Sequence, residues 1–273
     1  MGLTVVTGAN TGIGKVTAVT LAERGHHVVL ACRSEAKTRP VVDQILAAGG
    51  KAELLALDLA DLDHVAKAAA CLRERGEPID VLINNAGLAG SQGSTAQGFE
   101  LTFGVNHVGT YLLTRLLLPL LREHATPARI VTVASKAHMQ ASSIDWDAAR
   151  RPTKTLIGLR EYERSKLCNV LFAKELARRE PTLCSVSLHP GVVATDIWRR
   201  VPWPIRSIYK RFMITNEEGA VTSIHCATDP RVLETSGAYY DKAKPVEPSA
   251  LAQDRALAET VWTRTEEYVR AWL

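Results

Sequence analysis

Tyr162 and Lys166 stand four residues apart in Tyr162-Glu163-Arg164-Ser165-Lys166, inside a stretch of helical character. Residues at i and i+4 share one face of a helix, so the spacing sets an ammonium beside a phenol. A free phenol titrates near ~10 and is a poor base at neutral pH. A fixed cation one turn away favours the phenolate, and lowering its pKa by roughly three units takes about 4 kcal/mol of differential stabilisation. In a water-poor pocket the pair is suited to exchanging a proton with a substrate oxygen. On an ordinary exposed helix the same spacing is solvent-facing decoration, so its meaning depends on what surrounds it.

Apolar runs read as strands at 3–7, 27–32, 52–57, 79–84, 130–134 and 183–188, with a short last strand at 238–240. Between them lie helix-length amphipathic stretches at 12–24, 35–48, 62–75, 101–122, 156–179, 217–227 and 250–271. Strands without polar alternation are buried on both faces. Their alternation with helices implies a parallel sheet covered on both sides. The expectation is α/β: a single-domain Rossmann-type doubly wound sheet over residues 1–273, with ligands beyond the carboxyl ends of the strands. Val131-Thr132-Val133-Ala134-Ser135 delivers a hydroxyl, Ser135, to that end of the fifth strand.

The first strand runs into Thr7-Gly8-Ala9-Asn10-Thr11-Gly12-Ile13-Gly14. Glycines there allow a tight turn and a close approach of backbone to a pyrophosphate, and the next helix offers free N–H groups and a positive dipole end. Strand, glycine turn and helix come in the required order, which assigns Gly8, Asn10, Thr11, Gly12, Ile13 and Gly14 to a dinucleotide. The second strand ends in Cys32-Arg33-Ser34, without the carboxylate that accepts from an unphosphorylated ribose. Arg33 presents a fork that matches a 2′-phosphate, which favours NADP(H). The other reading makes Arg33 a solvated loop cation and hands a ribose to Glu35.

Thr-Gly-x-x-x-Gly-x-Gly, Asn84-Asn85-Ala86-Gly87, Ser135, Tyr162-x-x-x-Lys166 and Pro190-Gly191 together resemble the short-chain dehydrogenase/reductase family, over most of the chain from Thr7 to Asp196. The resemblance implies a catalytic tetrad of Asn106, Ser135, Tyr162 and Lys166. Tyr162 would be the acid in reduction and the base in oxidation, and Ser135 would steady the substrate oxygen. Lys166 would hold the nicotinamide ribose and lower the Tyr162 pKa, and Asn106 would support a water leading to solvent. It also assigns Asp58 and Leu59 to the adenine, Asn85, Ala86 and Gly87 to the approach of backbone and cofactor, and Pro190, Gly191, Val193 and Thr195 to the carboxamide. Unaided, Asp58 fits an N-cap or turn equally well. Ala31-Cys32-Arg33, Ala134-Ser135-Lys136-Ala137-His138 and His189-Pro190-Gly191 resemble the retinol-dehydrogenase-like branch.

Residues 197–215 read as a substrate lid, in which Trp198, Trp203, Tyr209 and Phe212 alternate with Arg199, Arg200, Arg206, Lys210 and Arg211. Aromatics near a nicotinamide suggest a lipophilic ketone, aldehyde, retinoid or steroid. His138 is either a pocket residue or a packed loop histidine.

Thirty-three Lys and Arg against 29 Asp and Glu give a formal charge of +4. Their scatter argues against a nucleic-acid partner. Five cysteines without a CxxC pair suggest reduced thiols, the eight histidines show no metal-ligand spacing, and no window has the ~18–20 apolar residues of a membrane span. A cytoplasmic enzyme with a small carbonyl or alcohol substrate is expected. By analogy with the family it forms a homodimer or homotetramer through 101–122 and 156–179. A non-catalytic NADP(H)-binding regulator on the same fold is the alternative from another class. Such proteins tend to lose the tyrosine or lysine that is present here.

Overall fold

The computed structural model describes residues 2–124, 126–191 and 214–273. Eight strands form one sheet in the order β3-β2-β1-β4-β5-β6-β7-β8. They are β1 (Leu3–Thr7), β2 (His27–Cys32), β3 (Lys51–Ala56), β4 (Ile79–Asn84), β5 (Arg129–Val133), β6 (Cys184–His189), β7 (Tyr239–Asp241) and β8 (Lys244–Val246). The first seven are parallel and β8 runs antiparallel to β7. The order reverses between β1 and β4, which creates the crevice where doubly wound sheets bind ligands.

Successive side chains on a strand point to opposite faces, and both faces here are packed. Val5, Val29, Leu82 and Ile130 enter one core, shared with residues of α3 (Leu62–Arg75). Val6, Leu30, Ile83, Val131 and Val186 enter the other, shared with residues of α1 (Gly12–Glu23) and α2 (Glu35–Ala47). The absence of polar alternation in these strands follows from that double burial.

Four local departures from the sequence expectation have physical causes. The helix expected at 101–122 is α4, which is α-helical at Leu101–Phe103, π-helical at Gly104–Gly109 and α-helical again at Thr110–Leu121. A Cβ at Gly109 would overlap the Leu59 carbonyl, so α4 meets the loop after β3 at van der Waals range. The helix expected from 156 begins later, as α5 (Leu159–Arg179), because Gly158 takes a left-handed conformation at its N-cap (φ 60°). After α6 (Asn216–Thr228), the helix expected at 250–271 divides into α7 (Ala250–Gln253) and α8 (Arg255–Val269). Asp254 separates them, its carboxylate accepting from Leu257 N at 3.0 Å. The short last strand lies at Tyr239–Asp241 and is followed by the unforeseen β8, reached through Lys242 and Ala243 at positive φ.

The C-terminal helix closes one side of the molecule. Trp262 stacks on Phe172 of α5 (centroids 5.9 Å, 22° between planes) and meets Tyr111 of α4 edge-on at 5.1 Å. The Arg115 and Arg179 guanidiniums lie 5.1 Å and 4.8 Å from the Trp262 ring, and Arg115 pairs with Glu266 at 2.6 Å. The face of α4 and α5 that carries Tyr111 and Phe172 is thus filled within one chain. Self-association through these helices has to use other residues. No helix among the described residues is long and apolar enough to cross a membrane.

Candidate active site

The glycine turn is shaped by the approach of β1 to β4. Gly8 has φ 67°, and a Cβ there would stand 3.0 Å from Ala86 Cα. A Cβ at Gly14 would overlap the Gly8 carbonyl and the Asn85 amide. The corner is tied by Thr7, whose hydroxyl accepts from Asn85 N at 3.0 Å and Ala86 N at 2.9 Å. Asn85 Nδ2 donates back to Thr7 O at 2.8 Å. The Asn85 side chain therefore braces the cradle from within. Thr7 was not singled out from sequence. The available signal was a hydroxyl ending an apolar strand one residue before the turn. Thr11 is the N-cap of α1 and makes no side-chain cap bond, which leaves the first N–H groups of the helix without a side-chain partner from it. Gly12, with φ 57°, starts that helix, and Asn10 and Ile13 flank it half-buried.

Arg33 is exposed beyond β2 and has no hydrogen-bond or salt-bridge partner among the described residues. Glu35, the alternative ribose ligand, is paired with Arg39 at 2.5 Å. Asp58 closes a turn: its Oδ1 accepts from Ala60 N at 3.0 Å and its N–H donates to His64 Nδ1 at 3.0 Å. Leu59 is buried against α4.

Ser135, Tyr162, Lys166 and Asn106 converge at the carboxyl ends of β4 and β5. Ser135 caps a short 3-10 turn, Lys136–Gln140, and its Oγ accepts from Ala137 N at 3.2 Å. The Tyr162 hydroxyl is near enough to the Ser135 side chain for the serine to favour its phenolate. Lys166 is buried and donates from Nζ to Val133 O at 2.8 Å, with Nζ 5.6 Å from the Tyr162 ring centre. Asn106 lies in the π-helical turn of α4, a type of irregularity common at functional sites. Its Oδ1 accepts from Leu88 N at 2.7 Å, and its Nδ2 donates to Leu88 O and Ser165 Oγ, each at 2.9 Å. Gly87 sits between Asn106 and Lys166: a Cβ there would lie 3.4 Å from both Asn106 Oδ1 and Lys166 Nζ. Ser165, which also donates to Tyr162 O at 2.8 Å, links Asn106 to the tyrosine's own turn.

Electrostatics in the protein alone run opposite to one expectation. Burial pushes the Tyr162 phenol above its ordinary value, and the Ser135 side chain pulls it only part of the way back. Burial also pulls Lys166 down to about 8. Each group resists its charged form because burial strips water from it.

His138 is fully buried as a scaffold residue. Its Nε2 accepts from Ser249 N at 3.1 Å, so Nδ1 carries the proton donated to Ser135 O at 2.6 Å. Pro190 and Gly191 follow β6, and Gly191 takes φ 95° where a Cβ would overlap Ile214. Val193, Thr195 and residues 197–213 of the expected lid lie outside the described residues.

Burial of two further histidines predicts a loss of stability in acid. Burial holds His107, which meets Thr265 Oγ1 at 2.9 Å, and His189, at the end of β6, neutral with values near about 4. Unfolding between pH 6.5 and 4 lets both take up a proton, so stability falls as pH falls through this window. The pair contributes a slope approaching ~2.7 kcal/mol per pH unit near its middle. Denaturant titrations at pH 7, 6 and 5 should show it, and a flat profile would contradict neutral burial of both rings.

The short chain dehydrogenase profile matches residues 3–146. Human retinol dehydrogenase 11 is 40% identical over 266 residues, covering 94% of this chain and 82% of that protein. Human retinol dehydrogenase 13 is 37% identical over 278 residues, covering 97% and 83%. Among solved structures, a Mycobacterium paratuberculosis protein of 31% identity superposes with a TM-score of 0.80, covering 99% of this chain and 94% of that one. A Beutenbergia cavernae protein assigned as an NAD(P)-dependent gluconate 5-dehydrogenase, solved with NADP, is 27% identical with a TM-score of 0.71, covering 88% and 94%. The 3-ketoacyl-(acyl-carrier-protein) reductase of Brucella melitensis, solved with NADH, is 25% identical with a TM-score of 0.68, covering 88% and 96%. With matches of this extent, and a glycine-shaped crevice at the sheet's switch point, the chain belongs to the short-chain dehydrogenase family, in its retinol-dehydrogenase-like branch, and is an oxidoreductase of the kind that works with a nicotinamide cofactor.

Proposed function

We propose that this chain is an NADP(H)-dependent carbonyl reductase or alcohol dehydrogenase acting on a lipophilic ketone, aldehyde, retinoid or steroid-like alcohol. The observation that carries the chemistry is the convergence of Ser135, Tyr162 and Lys166 at the end of β5, where Lys166 Nζ donates to Val133 O and lies 5.6 Å from the Tyr162 ring centre. Ser135 holds the substrate oxygen and Tyr162 gives that oxygen its proton in reduction, or removes it in oxidation. Lys166 braces the ribose and supplies the nearby positive charge. Asn106 fixes the Leu88 loop and, through Ser165, the first turn of α5. When bound, the nicotinamide supplies the hydride acceptor or donor. The dinucleotide would lie on Gly8–Gly14, Asp58, Leu59, Ala86 and Gly87, with Pro190, Gly191, Val193 and Thr195 at its carboxamide end.

The choice of NADP(H) rests on Arg33, exposed beyond β2 and without a salt-bridge partner among the described residues, and on Glu35 being engaged with Arg39. The test is oxidation of NADPH and NADH across a panel of lipophilic aldehydes, ketones and retinoids, using wild type and Arg33→Ala. Charge-assisted hydrogen bonds of this kind contribute ~1.5–3 kcal/mol. Arg33→Ala should therefore raise the KM for NADPH roughly 10- to 100-fold while leaving NADH little changed. A wild-type preference for NADH would overturn the assignment.

A further inference from the structure

His138 is not one of the reacting groups, yet the backbone that carries Ser135 hangs from it. On the strand side Ser135 is fixed by the sheet, since Ala134 N donates to Leu188 O at 2.8 Å. On the other side β5 has ended, and Ser135 O is taken by His138 twice. The backbone N–H of His138 donates to it at 3.1 Å and ring Nδ1 at 2.6 Å. These bonds hold the peptide that follows Ser135, and with it the extended conformation (φ −168°, ψ 154°) that sets the direction of the serine side chain.

The ring is itself anchored far along the chain. Its Nε2 accepts from Ser249 N, 111 residues away. That N–H is held by its own neighbours: Ser249 Oγ accepts from Ala252 N at 3.3 Å, and Gln253 Nε2 donates to Pro248 O at 3.1 Å. The imidazole also meets the Tyr239 ring of β7 edge-on, with centroids 4.8 Å apart. Both rings are buried. Burial holds His138 below its ordinary pKa, so near neutral pH one ring nitrogen donates and the other accepts. An apolar side chain would fill the same space but would not join two backbone groups. Lys136 reaches β7 as well, pairing with Asp241 at 2.7 Å, but its side chain is 52% exposed and such pairs contribute little. The tie between the Ser135 turn and the C-terminal segment is therefore carried by His138. None of these bonds involves Gly8–Gly14.

We propose that His138 is a positioning residue, a clamp through which residues 248–253 hold Ser135 at the angle the substrate oxygen requires. Its effect on turnover rests on the carbonyl/alcohol reading above; the clamp itself can be read without substrate. Misplacing a reacting group by ~1 Å can cost on the order of 10²-fold. The backbone bond from His138 to Ser135 O survives loss of the ring, so the turn shifts without unravelling. His138→Leu should therefore lower kcat about 10- to 100-fold while the Kd for NADPH stays within about threefold of wild type. His138→Asn restores a donor in place of Nδ1 and His138→Gln an acceptor in place of Nε2, and each should recover part of the lost kcat. Ser249→Pro and Ser249→Ala both lose the Oγ cap, but only the proline variant loses the N–H, at a φ of −58° that proline adopts. Its kcat should lie about fivefold below that of Ser249→Ala. Should His138→Leu fail to fold, this pair carries the same test. Hydrogen exchange of the 136–141 amides, read without substrate, should quicken about tenfold in Ser249→Pro relative to Ser249→Ala. Equal exchange in that pair overturns the proposal. So does an active enzyme whose kcat is indifferent to His138→Leu, or a loss of NADPH affinity that matches the loss of kcat, since the histidine would then support the fold at large. Recovery by neither Asn nor Gln would make the ring a packing element and also counts against it. Silence of wild type on the carbonyl panel, with the exchange difference retained, would count against the substrate reading alone.

Discussion

Tyr162→Phe is expected to lower turnover by about 10³-fold, within the ~10²–10⁴ range for a positioned general acid, while the Kd for cofactor stays within a few-fold of wild type. The aromatic ring and its packing survive the change, and only the hydroxyl beside Ser135 is lost. The raised phenol in the protein alone sharpens the expectation. At neutral pH Tyr162 is protonated and ready to donate, so carbonyl reduction starts in the required state. Alcohol oxidation needs the phenolate and should accelerate as pH rises above neutrality. Lys166, pulled down to about 8, is an ammonium below that value and increasingly neutral above it. Cofactor and substrate must therefore bring down the Tyr162 pKa in the complex if oxidation is to run near neutral pH. Steady-state rates in both directions over pH 6–10, with wild type and Tyr162→Phe, check this. A variant retaining more than a tenth of wild-type turnover would remove Tyr162 from the acid's role.

The second large effect is structural. Trp262→Ala should destabilise the protein by ~3–5 kcal/mol, the range for truncating a buried large aromatic side chain. Trp262 is 4% exposed and packs against both Phe172 and Tyr111, with two guanidiniums near its ring and Nε1 donating to Glu266 at 2.9 Å. Its loss opens a cavity and removes the indole face from beside the Arg115 and Arg179 guanidiniums. The size matters because a domain's whole stability is only about 5–15 kcal/mol. Urea titration should show a lower midpoint at unchanged slope. A loss below about 1 kcal/mol would mean that α8 docks loosely. Because Phe172 lies on the same helix as Tyr162 and Lys166, the variant also tests how far the C-terminal helix supports the site.

Much of the architecture was legible because its signals are local. The strands β1, β2 and β4 and the helix α3 match their expected limits. Each is bounded by glycine or a short polar turn and carries an uninterrupted apolar or 3.6-residue pattern. The π-helical turn of α4 was not legible. Its residues Gly104-Val105-Asn106-His107-Val108-Gly109 are weak helix formers, and nothing in their order distinguishes a π-helical turn from an α-helical one. Their register is set by contacts distant in sequence: Asn106 with Leu88 and Ser165, and His107 with Thr265. β8 was missed because three exposed residues with a proline carry no strand pattern. It exists as an edge partner of β7.

By its own residue order, the chain determined the βα alternation, the glycine-shaped phosphate turn, the arginine in place of a carboxylate at the end of β2 and the four-residue spacing of Tyr162 and Lys166. These depend on neighbours in sequence and on backbone chemistry that travels with residue type. Tertiary structure alone decided that Thr7 and Asn85 lock the cradle, that His138 is scaffold, and that α8 seals the α4–α5 face. It also decided the sign of the Tyr162 shift. Desolvation is a property of everything packed around a group, and a one-dimensional pattern places the lysine beside the tyrosine without revealing how little water reaches either.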